Sequence, residues 1–165
     1  MTHTLSSALS EREVDPDTVH HTLRYYLSER LDDPTTEEMH AELARNWGPE
    51  FTADLDELVA DPLLLENAAL FVLSGVWEEP DQAERILQIA ADAKVKLPVI
   101  EIGIISVAAM YGLYLLRTGG IKRSQRTTIR RQDGSFEEKE TVDYADPLGP
   151  IAALTRFLGR SQPPQ

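Results

Sequence analysis

Apolar positions recur with a helical period through most of the first hundred residues. Val19, Leu23, Tyr26 and Leu27 stand at i, i+4, i+7 and i+8, the spacing that lines one face of a helix. Asp15-Pro16-Asp17 precedes them, an N-cap followed by proline at the first helical position, and predicts a helix running to about Leu31. Thr35 and Glu38 have capping-box spacing, in which each side chain can satisfy the other residue's backbone N–H. The helix they open carries Met39, Leu43 and Trp47 inward and stops at Gly48. A shorter helix is predicted over 52–60, burying Leu55, Leu58 and Val59. Asp61-Pro62 restarts the chain, and the following LLLENAALFVLSGVW is apolar on more than one side, the mark of a central buried helix. A further helix runs from Glu79-Pro80-Asp81 to Lys94, with Ala83, Ile86, Leu87, Ala90 and Ala91 inward. Five helices with short connections predict an antiparallel bundle or an irregular helical domain. No fixed repeat of solenoid length is present.

Beyond Pro98 the pattern changes. Val99 to Leu116 is a run of 18 residues whose one charge is Glu101. As a helix it would reach about 27 Å, slightly short of a hydrocarbon core of about 30 Å. Tyr111 and Tyr114 near one end, and a basic cluster after it, suit a membrane span. Ala108 and Gly112 form a small-xxx-small pair that lets helices approach closely, and Gly103, Ser106 and Ala109 widen that face. Topology argues against a span: with the basic side held in the cytoplasm, the acidic first 97 residues would have to cross without a signal peptide. Glu101 adds a cost of its own. A buried core helix is the leading reading, an inserting helix the second and a seam between copies the third.

After Gly119-Gly120, Gln125–Arg131 and Ser135–Val142 flank Asp133-Gly134, a strong hairpin signal. Arg126, Arg130 and Arg131 can face Glu137, Glu138 and Glu140 across the strands, each pair contributing about 0.2–1 kcal/mol. So little apolar surface accompanies them that the hairpin must dock elsewhere. Asp146-Pro147 then caps a short helix with Ile151, Leu154, Phe157 and Leu158 on one face. This order of apolar helix, basic turn, TTIRRQDGSFEEKETV hairpin and DPLGPIAALTRFL helix resembles small effector-associated component proteins of actinobacterial conflict (defence) systems. The likeness spans about residues 99–159. It implies a non-enzymatic piece that accompanies a protease, nuclease or other toxic effector, and carries no residue roles with it.

The expected fold class is therefore mainly α. An acidic multi-helix region over 15–97 is followed, over 98–160, by a long apolar helix, a β-hairpin and a short C-terminal helix, with flexible tails at 1–14 and 161–165. Charge sharpens that division. Residues 1–97 hold 21 acids and seven bases, whereas 98–165 hold seven acids and nine bases. Arg117, Lys122, Arg123, Arg126, Arg130 and Arg131 form a run uninterrupted by acid, a candidate contact for an anionic partner. The formal charge of −12 argues against a nucleic-acid footprint over the whole surface.

The absence of cysteine excludes disulfides, thiol nucleophiles and thiolate zinc sites. His20 and His21 point about 100° apart on a helix and His40 lies in the next, so they read as surface histidines and not as metal ligands. Phosphate-loop, dinucleotide and nucleophile-elbow motifs are missing. No enzyme, metal or cofactor is expected. The expected role is a cytoplasmic adaptor that binds a protein partner or itself; inner-membrane association through 99–116 is the alternative.

Overall fold

Capping residues and buried stripes place the helices near their predicted positions. The computed structural model describes residues 4–77, 79–95, 102–118, 127–131 and 133–139. Within them are seven helices, α1 (Leu5–Glu11), α2 (Pro16–Arg30), α3 (Thr36–Asn46), α4 (Phe51–Ala60), α5 (Pro62–Trp77), α6 (Pro80–Val95) and α7 (Ile102–Thr118). Two strands follow, β1 (Thr127–Arg130) and β2 (Phe136–Lys139). The chain is mainly α with a two-stranded antiparallel hairpin.

Asp15 starts α2 by accepting from Thr18 N at 2.7 Å, and Asp61 starts α5 by accepting from Leu64 N at 3.1 Å. Thr35 Oγ1 accepts from Glu38 N at 3.1 Å. Its hydroxyl also donates to the Glu38 carboxylate at 3.1 Å, so this pair closes side chain to side chain.

The predicted flexible tail over 1–14 is corrected by α1. Thr4 caps that helix by accepting from Ser7 N at 3.0 Å, and Leu5, Ala8 and Leu9 are buried. Seven residues are too few to hold a helix alone. Packing against β2 and β1 supplies the missing stabilisation.

Helix α5 is the centre, with every residue from Leu64 to Trp77 buried. Helices α2, α4, α6 and α7 and strand β1 surround it. Helix α7 packs against α2, α3, α4 and α5, so the core runs across the change of charge at Pro98. The α5–α7 contact depends on two glycines: a Cβ on Gly112 would lie 2.9 Å from Val72 Cγ1, and one on Gly75 would lie 2.8 Å from Leu116 Cδ2.

The hairpin pairs Thr128 with Glu138, Ile129 with Glu137 and Arg130 with Phe136. Gly134, at φ +93°, takes the left-handed conformation its turn requires. Among the described residues no single helix is long and apolar enough to cross a membrane. The bent pair α4 and α5, at 109°, meets that test by length and composition only. The predicted C-terminal helix, the tail over 161–165 and the segments 99–101 and 119–126 lie outside the described residues.

Candidate functional site

Three sets of residues invite a functional reading. The first is the basic run. Lys122, Arg123 and Arg126 lie outside the described residues, and Arg117 is in the last turn of α7. The two remaining arginines are engaged within the chain. Arg131 Nε donates to Glu137 Oε2 at 2.7 Å, an exposed cross-strand pair of the predicted kind.

Arg130 departs from the predicted pairing. Its Nε donates to Glu66 Oε2 at 2.5 Å, Nη1 to the Gly134 carbonyl at 2.7 Å and Nη2 to the Val14 carbonyl at 2.7 Å. Its guanidinium carbon also lies 4.0 Å from the centre of the Phe136 ring. The strand behind it is held by α5: Arg130 N donates to Asn67 Oδ1 at 2.6 Å, and Asn67 Nδ2 returns a bond to the Arg130 carbonyl at 3.2 Å. Thr128 N donates to Ser74 Oγ at 2.7 Å. Glu66, Asn67 and Ser74 were not singled out by sequence reasoning. The available signal was their polarity, since they interrupt a helix that is otherwise apolar all round.

The second set is the small-residue and aromatic face of α7. Ala108 and Gly112 are buried, with Gly112 against Val72, so this pair serves the close approach of α7 to α5. Gly103 is exposed in the first turn, next to Ile102, which is 44% exposed. Tyr111 is buried and donates to Glu42 Oε2 of α3 at 2.5 Å. Burial and the Glu42 carboxylate together push its phenol up to about 12. Tyr114 is half-buried, with its ring centre 6.0 Å from that of Tyr111. These tyrosines therefore sit in or beside a helix–helix contact.

The third set is the acid-rich stretch from Asp32 to Asp61, which holds ten acids and one base, Arg45. Asp32, Asp33, Glu37, Glu38, Glu50, Asp56 and Asp61 are exposed along α3, α4 and the turns beside them. Asp54 is the exception: it is fully buried and accepts from Trp47 Nε1 at 2.9 Å, tying the end of α3 to α4.

The expectation of surface histidines fails for His20 and His21, which are 8% and 5% exposed. Their half of α2 is buried on all sides, from Thr18 to Leu23, so helical periodicity alone could not place them. His21 Nδ1 lies 2.7 Å from the Asp17 carbonyl. Desolvation lowers His20 to about 4, although Asp17 opposes the shift, so the imidazole is neutral at pH 7. Among the described residues no group of three or more His, Asp or Glu side chains is arranged to hold a metal ion.

Searches of protein-family descriptions, curated proteins and solved structures match nothing to this chain.

Proposed function

We propose that the protein is a non-enzymatic interaction component, an adaptor whose acid-rich α3–α4 segment engages a basic surface on a protein partner. The observation carrying this reading is the exposure of seven acids in a stretch with one base, Arg45. An exposed single-sign field of this kind steers association with an oppositely charged surface and discriminates against acidic ones. A bacterial defence or signalling setting follows the resemblance of residues 99–159 to conflict-system components. The membrane alternative draws less support, because the described apolar face of α7 is spent on α2, α3, α4 and α5.

The test is affinity capture from the source cell at low and high salt, with the wild-type chain and a Glu37→Gln/Glu38→Gln/Asp56→Asn variant. The expected result is a protein partner that is lost in the variant and weakened by salt. A partner retained equally by both forms would remove the acidic segment from the interface. Retention of the wild-type chain in carbonate-washed membranes would favour the insertion reading instead.

A further inference from the structure

Helix α5 receives the hairpin in one register only. Thr128 N donates to Ser74 Oγ, the backbone of Arg130 exchanges bonds with Asn67, and the Arg130 guanidinium meets Glu66. Alternate residues of a strand turn their backbone groups to the same margin, which is why 128 and 130 are the positions read. Slipping the strand by two residues would bring Thr128 or Gln132 to Glu66, and neither carries a charge. The hairpin also completes the site from its own side, since the Gly134 carbonyl and the Phe136 ring hold the same guanidinium. A lone foreign strand lacks those two contacts. Another copy of the hairpin supplies all of them.

The hairpin packs chiefly on α1 and α5, elements that precede it by more than 50 residues, and residues 119–126 join it to α7. Its departure leaves the packing of α2 to α7 on one another in place. It does uncover the face of α5 that holds Asn67 and Ser74, together with buried Ile129 and the apolar side of α1. An open form is therefore costly, and a vacated receptor is best refilled by an identical strand.

We propose that the partner fitted to this receptor is a second copy of the chain: two copies exchange hairpins, each β1 docking on the α5 of the other. The exchange is reciprocal, so both receptors are filled and the dimer closes. It holds whether or not the acidic α3–α4 segment binds another protein. A chain's own hairpin competes at an effective concentration on the order of 1 mM, which sets the chain concentration at which exchange becomes visible.

Size exclusion with light scattering on the full chain tests this. After warming, the chain should be about half dimer at roughly 1 mM and monomer at about 10 µM. The chain has no cysteine, so introduced thiols pair selectively, and the 2.7 Å bond from Thr128 N to Ser74 Oγ brings those residues within bridging range. Ser74→Cys and Thr128→Cys in separate chains, mixed when concentrated, should form a disulfide between chains. Carried in one chain and oxidised when dilute, the pair should hold it as a monomer at every concentration. A wild-type chain that stays monomeric at 1 mM would overturn the proposal. So would a dimer that forms despite the oxidised pair, or mixed chains that dimerise without the cross-chain disulfide. Where these variants do not fold, hydrogen exchange on the wild-type dimer decides: the strands and α5 should keep the protection they have in the monomer, and new protection over an outer surface such as α3 and α4 would count against exchange.

Discussion

A neutral imidazole buried in α2 makes the stability of this chain depend on pH. His20 has a folded value of about 4 against an ordinary value of 6.5, so between those limits the unfolded chain binds more protons. The contribution of this residue is complete above pH 6.5 and is lost as pH falls toward 4. It predicts a loss of roughly 2 kcal/mol between pH 7 and pH 5. Glu66, raised in the folded state by burial, works in the opposite direction. Urea denaturation of wild type and His20→Gln at both pH values measures the effect, and a variant with the same loss as wild type would refute the assignment. Residues of this kind were the least legible in the sequence. Nothing local distinguishes a buried histidine from a surface one when a helix is covered on every side. Arg130 misled for a related reason: its nearest acids in sequence suggest a cross-strand partner, while the acid it finds is 64 positions away on α5.

At the level of elements, starts were legible because they are chemistry between neighbours: Asp15, Thr35 and Asp61 all cap where expected. Helix α1 was not, since a seven-residue segment owes its form to strands more than a hundred residues later. Leu9→Ala should therefore cost about 2–4 kcal/mol in chemical denaturation, where a flexible tail would show no change. The α5–α7 pair gives a finer expectation. Alanine at Gly112 meets both methyls of Val72, a β-branched side chain with little rotamer freedom in a helix. The resulting strain, about 1–3 kcal/mol, should outweigh the gain in helix propensity of about 1 kcal/mol. Alanine at Gly75 meets the flexible end of Leu116 and should be tolerated better. Thermal melts of Gly75→Ala, Gly112→Ala and Gly112→Ala/Val72→Ala separate these cases: the double variant should recover stability relative to Gly112→Ala. Equal losses in both single variants would refute the argument from side-chain stiffness.

For the whole molecule, a charge of −12 carried largely on exposed helices is self-repulsive. Raising salt from about 0.01 M to 0.15 M shortens the screening length from about 30 Å to about 8 Å and should raise the melting temperature. A fall instead would mean that attractive surface pairs such as Arg85–Glu29 outweigh the repulsion. The mainly α class and the order of its elements could be read from periodicity, because one helix buried all round needs a shell of amphipathic ones. How the hairpin meets that shell could not, as it rests on three polar residues of α5 whose role exists only once the fold has formed. Their placement has a consequence for the chain's behaviour in a crowded solution. A two-stranded sheet exposes open strand margins onto which foreign strands can add, the first step toward fibrils. By occupying the outer backbone groups of Thr128 and Arg130, Asn67 and Ser74 let a helix stand where a third strand would be, and deny that margin to other chains.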